Sequence, residues 1–200
     1  ESSHIEQLYG PQKMLDLTPY FEADPEWYDT FVPGIFDMGA TYDGKKYAMP
    51  NEYFSLPLFV NKDILNELNI SMPKTWDELM AAMKAVKDDG KYLPLSIWGV
   101  GGDNSGVWFL SALGANGGSQ KWIDACNGEG SFSDPAIIDA LDRMLEVCSY
   151  AQDGINGTEW TTSMANFNTR QSVFYLNGPW AIQQLAQGDE GEAFLDSIEL

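Results

Sequence analysis

Between residues 74 and 89 the apolar positions fall at Trp76, Leu79, Met80, Met83 and Val86. Spaced three or four apart, they form one stripe of a helix. Thr75 and Glu78 make a capping box at its start, and Asp88-Asp89-Gly90 supplies its stop. A second stripe, Ile137, Ile138, Leu141, Met144, Leu145 and Cys148, follows Asp134-Pro135, an N-cap with proline at the first helical position. Shorter helices are predicted over "NKDILNELNI", "VWFLSALGA" and "TTSMANFNTRQ", and from Pro179 onward. Apolar runs at Leu56 to Val60, in "YLPLSIWG" and in "SVFYLN" read as buried strands, with Pro57 suggesting an edge or an irregularity in the first. Asp43-Gly44 within "TYDGKKYAMP" is a hairpin turn, and the strand after it ends at Pro50.

Residues 1–40 read as a loop-rich, helical segment broken by prolines. From there on strands alternate with helices, which predicts an α/β architecture on a mainly parallel sheet. The first forty residues offer no strand of their own, and "EGEAFLDSIEL" stops where another strand could begin. A fragment of a longer chain is therefore expected.

With 200 residues, 44% of them apolar, the chain can bury a sizeable core. Its 30 acidic residues against 11 basic ones give a net charge of -19, which repels polyanions. The adjacent pair Lys45 and Lys46 sits in a turn and makes no patch, so neither nucleic acid nor an anionic membrane surface is an expected partner. No apolar run approaches the ~18 residues of a membrane span, and "ESSHIEQLYG" has neither a basic nor an apolar region of a signal peptide. Two cysteines, Cys126 and Cys148, and a single histidine, His4, argue against a cysteine-histidine zinc site. No metal or cofactor is expected. The cysteines read as buried, unpaired thiols, with a single disulfide as the alternative in an exported protein.

The chain lacks G-x-S-x-G, H-E-x-x-H and the phosphate-binding G-x-x-x-x-G-K-[ST], and a Ser-His-Asp triad would have to draw on His4. "GVGGDNSG" at 99–106 follows a strand and precedes a helix but lacks the spacing and the lysine of a phosphate cradle. It reads either as a flexible connection or as a loop offering Asp103 and Asn104 to a polar ligand. The many carboxylates permit a glycosidase pair on paper, although most of them lie in turns or on polar faces.

Sugar binding asks for something else: aromatic faces to pack on the C–H groups of a pyranose, with amides and carboxylates at the edges for its hydroxyls. Four stretches combine these at turns: "NEYF" at 51–54, "WGVGGDNSGVW" at 98–108, "NGTEW" at 156–160 and "NGPW" at 177–180. Three of them follow predicted strands, where an open parallel sheet places its ligand loops. For Trp98, Trp108 and Trp180 a role in the core is the competing reading.

The ordered series "LDLTPYFEADPEWYDTFVPG", "YDGKKYAMP", "FVNKDILNELNISMPKTWDELMAAMKAVKDDG", "FSDPAIIDALDRMLEV" and "FNTRQSVFYLNGPWAI" resembles the extracellular solute-binding proteins of carbohydrate ABC transporters, the maltose-binding-protein-like family. The resemblance covers nearly the whole chain. It implies the two-lobed periplasmic-binding-protein fold (type II), with residues 1–57 as part of the first lobe and the hinge crossover and 58–200 as most of the second. It also implies that the aromatic after "NGP", Trp180, stacks on a sugar ring, and that Trp160 is a cleft aromatic. Asn51, Glu52 and Tyr53 then occupy a ligand-contacting crossover, while Asp103 and Asn104 fall where the second lobe contributes polar contacts; Trp98 is a candidate from its own aromatic-polar stretch. The function so implied is non-catalytic binding of a sugar or oligosaccharide by a monomer. The protein would be exported, either lipid-anchored or periplasmic, and would deliver its ligand to ABC permease subunits. A carbohydrate-active hydrolase and a sugar-sensing domain of the same fold are the alternatives.

Overall fold

The computed structural model describes residues 13–37, 40–52, 54–101, 103–188 and 191–200, the side chain of Asp103 excepted. The chain divides into two units, residues 1–54 and 55–200. In the first, α1 (Thr18–Ala23) and α2 (Pro25–Tyr28) each carry a proline in the opening turn, and Asp24 caps α2 by accepting from the Trp27 amide at 3.0 Å. The prolines thus start short helices as well as ending any long one. β1 (Thr41–Tyr42) and β2 (Lys45–Lys46) pair antiparallel through Asp43 and Gly44. Both turn residues have positive φ, 49° and 72°, the geometry that Asp-Gly favours. The hairpin is tied back to α1: the Leu17 amide donates to the Lys46 carbonyl, and the Lys46 amide donates to Thr18 Oγ1. Beneath it Phe21, Phe36 and Ala40 form a small core edged by Tyr28 and Phe31.

The second unit is built on a four-stranded sheet of β3 (Leu58–Asn61), β4 (Leu93–Ser96), β5 (Ser172–Leu176) and β6 (Ile198–Glu199), in the order β4-β5-β3-β6. Its helices are α3 (Lys62–Glu67), α4 (Trp76–Asp89), α5 (Asp103–Ala115), α6 (Ser119–Cys126), α7 (Pro135–Cys148), α8 (Trp160–Asn168), α9 (Trp180–Leu185) and α10 (Glu192–Leu195). In α4, Thr75 accepts from the Glu78 amide, and Gly90 closes the helix at φ 77°. The Glu78 carboxylate accepts from the Lys74 amide, one residue before the cap. In α7, Asp134 caps and Pro135 opens, as the spacing predicts.

The sheet is mixed, which corrects the expectation of a mainly parallel one. β4 and β5 are parallel, but β3 runs against both β5 and β6. A strand buried on both faces reads as a continuous apolar run whichever way it points, so the pattern carried burial but not direction. Pro57 lies just before β3, an inner strand. It does not mark an edge: its carbonyl accepts from the Asn177 amide at 3.3 Å, and only the donor that proline lacks is missing there.

Successive residues of the central strands serve opposite faces. Val60, Phe174 and Leu176 join Leu79, Met83, Val86 and Leu95 in one core, whereas Phe59 and Tyr175 join Phe167, Ala181, Leu185 and Phe194 in the other. That is why all five positions of β5 are buried. Trp108 belongs to the first core and is 5% exposed, in keeping with its core reading. The cysteines correct another expectation: Cys126, on the unpredicted α6, is exposed and Cys148 is only half-buried. Both are free thiols.

Candidate functional site

Parallel pairing brings the C-terminal ends of β4 and β5 to one rim of the sheet. Because Leu58 stands opposite Leu176, the chain also enters β3 at this rim. The turn after β5 is fixed from within. Asn177 is buried, its Oδ1 accepts from the Gly178 amide at 2.7 Å, and its Nδ2 donates to the Tyr175 hydroxyl at 2.6 Å. A β-carbon on Gly178 would stand 2.3 Å from two carbons of the Trp180 ring. The indole thus lies directly over the Gly178 backbone, which explains the glycine. Pro179 then leads into α9, and Trp180 at its first position is 47% exposed. The ring is not a plug for the core.

The loop after β4 is strapped down. The Gly99 and Val100 amides donate to the Thr158 carbonyl at 3.2 and 3.3 Å. Gln152 accepts from the Ile97 amide and donates to the Ile97 carbonyl and to Thr158 Oγ1. The approach is so close that a β-carbon on Gly99 would meet the Ile155 carbonyl oxygen at 2.5 Å. This lacing carries "NGTEW", which follows no strand, to the same rim. Trp98 is half-buried, with its ring 6.1 Å from that of Tyr175 and inclined at 59°. Trp160 opens α8, also half-buried, and its indole engages the Tyr175 hydroxyl. Burial pushes the phenol of Tyr175 well above its ordinary pKa, opposed in part by its bonds with Asn177 and Trp160. The group stays neutral at any physiological pH.

Asn104, near the start of α5, is 1% exposed and donates to the Leu176 carbonyl at 3.0 Å. Its Oδ1 has no hydrogen-bond partner among the described residues. The structure therefore places Trp98, Trp160, Trp180 and Asn104 around one rim of the second unit, with Asn104 as a latch on the end of β5. Asn51 and Glu52 are exposed and line a groove of about 500 Å³ in the first unit, together with Trp27, Phe31, Val32 and Met49. Tyr53, the Asp103 side chain and His4 lie outside the described residues.

Tyr175, Gln152 and Trp27 are absent from the residues the sequence nominated, and Asn177 entered only as part of the "NGPW" stretch. A tyrosine inside a fully apolar strand run was the available signal for the first, since its buried hydroxyl needs a partner. Among the described residues no cluster of histidine, cysteine and carboxylate side chains could hold a metal ion, and no helix is long and apolar enough to cross a membrane.

The family model of the bacterial extracellular solute-binding proteins matches residues 2–200, and the chain belongs to that family. It is 26% identical over 173 residues to a probable sugar-binding periplasmic protein of Mesorhizobium japonicum, covering 84% of this chain and 40% of that one. Among solved structures it resembles a chitin oligosaccharide binding protein (25% identity, TM-score 0.71, 86% of this chain and 43% of that one). It also resembles a protein from work on xylan utilization by Caldanaerobius polysaccharolyticus (26%, TM-score 0.75, 93% and 47%). The fold is that of the two-lobed solute-binding proteins. The chain spans less than half the length of each of these relatives.

Proposed function

We propose that this chain binds a pyranose sugar or oligosaccharide without altering it covalently, as part of the receptor of an ABC importer. The observation that carries this reading is Trp180, a residue 47% exposed whose ring lies over Gly178 at the strand-end rim. A pyranose offers a C–H face that packs on such a ring, and the indoles of Trp98 and Trp160 add apolar surface at the same rim. The relatives' descriptions, sugar-binding and chitin oligosaccharide binding, agree with that chemistry.

In this reading residues 58–200 are most of the second lobe, and residues 1–57 are part of the first lobe and the hinge crossover. Asn51, Glu52 and Tyr53 would then supply contacts from the crossover, and Asp103 from the start of α5. The protein acts outside the cytoplasm, periplasmic or held to the cell surface by a lipid. It works as a monomer that passes its sugar to permease subunits.

Titration with chitotriose, xylotriose and maltotriose, followed by tryptophan fluorescence and by chromatography of the sugars, tests the proposal. It predicts a saturable fluorescence change with at least one sugar and no cleavage of any. Shortened products would point to a hydrolase, and no response to any of the three would count against the proposal.

A further inference from the structure

Tyr175 sits at the centre of the second core, between Phe59 and Phe167, with ring centroids at 6.3 and 5.4 Å. Phenylalanine would fill the same space without burying a hydroxyl, a group that is costly to bury unless it is paired. The pairing it finds is with the machinery of the rim. Asn177 Nδ2 donates to it at 2.6 Å, and the other end of the same amide holds the Gly178 N–H over which Trp180 lies. The Trp160 indole engages the same oxygen, and Trp98 packs against the phenol ring. Within two hydrogen bonds, one buried oxygen reaches the turn after β5, and the Trp160 indole at the start of α8 lies beside it.

We propose that Tyr175 is a positioning residue for sugar binding, its hydroxyl orienting Trp160 and, through Asn177, the Gly178–Trp180 turn, while its ring seats Trp98. The inference rests on the sugar-binding reading above and deepens it. The arrangement is anchored by the Asn177 amide, which holds the Tyr175 hydroxyl at one end and the Gly178 N–H at the other.

Tyr175→Phe in the 200-residue chain removes one oxygen and keeps the packing. Two measurements read its effect. The first needs no ligand: deuterium exchange at the Trp160 indole N–H, followed by 15N-resolved NMR and assigned with Trp160→Phe, should speed about tenfold or more once its partner is gone. The second is affinity for whichever of chitotriose, xylotriose and maltotriose the unaltered protein binds. This should weaken about threefold to tenfold, the scale of one lost buried hydrogen bond. Phe194→Leu, a packing change in the same core, should lower Tm and leave the affinity as it was. Unchanged exchange in Tyr175→Phe, or an equal loss of affinity in both variants, would reduce Tyr175 to a packing residue. If the unaltered protein binds none of the three sugars, the sugar-binding reading fails, while the exchange rate still decides whether the hydroxyl orients Trp160.

Discussion

The ring of Trp180 lies over Gly178 so closely that two of its carbons would stand 2.3 Å from a β-carbon at that position. The obstructing group is an exposed side chain and not backbone, so the conflict can be relieved by moving the indole. Gly178→Ala should accordingly leave the fold intact and displace the platform. The expected result is sugar affinity reduced about tenfold, the effect of losing ~1.4 kcal/mol of contact, with a nearly unchanged Tm. A large fall in Tm with unchanged affinity would show that the glycine serves the fold instead.

Asn177 serves two partners from one buried amide, the Gly178 N–H and the Tyr175 hydroxyl. Asn177→Ala leaves both without their bond in a site closed to water. Each such group costs about 1–3 kcal/mol, so thermal or urea unfolding should show a loss of at least that size. A change of a few tenths would mean that water reaches both groups.

At Gly99 the neighbour is backbone: a β-carbon would meet the carbonyl carbon of Ile155 at 2.8 Å as well as its oxygen. Neither strand of the strap can yield cheaply. Gly99→Ala should destabilise the protein by roughly 1–3 kcal/mol, as overpacking does, and should shift the fluorescence of Trp98, which precedes it. Denaturant unfolding of the variant measures the first effect and its emission spectrum the second.

The two thiols should react at different rates. Cys126 is exposed, whereas half-burial of Cys148 raises its pKa and so lowers its thiolate fraction. A thiol reagent at neutral pH should label the native protein in a fast and a slow phase, assigned by Cys126→Ser. Mass spectrometry before and after reduction should give one mass; a gain of two protons would reveal a disulfide.

What could be read along the chain was what local chemistry decides. Thr75, Gly90, Asp134 and Pro135 act within a turn or two of their own positions, and each marks a helix end in the structure. "NGPW" was legible for the same reason, since Asn177, Gly178 and Trp180 constrain one another within four residues. The direction of β3 was not, because an apolar run has no arrow. α6 escaped because it has only eight residues and its apolar positions make no clean stripe: Trp122 and Ala125 pack inward while Ile123 is exposed. The strap from Gln152 and Thr158 to Ile97 and Gly99 joins residues more than fifty apart, and no local pattern announces it. Tyr175 looked like a strand residue until Asn177 and Trp160 were seen at its hydroxyl. Asn51 and Glu52 were nominated from a turn, but the Trp27 and Phe31 rings that share their groove come from α2 and the turn after it, far away along the chain.

The central claim is that an exposed indole at the strand-end rim is the platform for a sugar, and Trp180→Ala tests it most directly. Because Trp180 is about half exposed, truncation removes little core packing and should hardly lower Tm. Isothermal titration calorimetry of both proteins with chitotriose, xylotriose and maltotriose should show a sugar that the unaltered chain binds and the variant binds more weakly by about 1–3 kcal/mol, the scale of an aromatic anchor. Equal affinities in the two proteins, with a markedly lower Tm in the variant, would contradict the account and return Trp180 to the core.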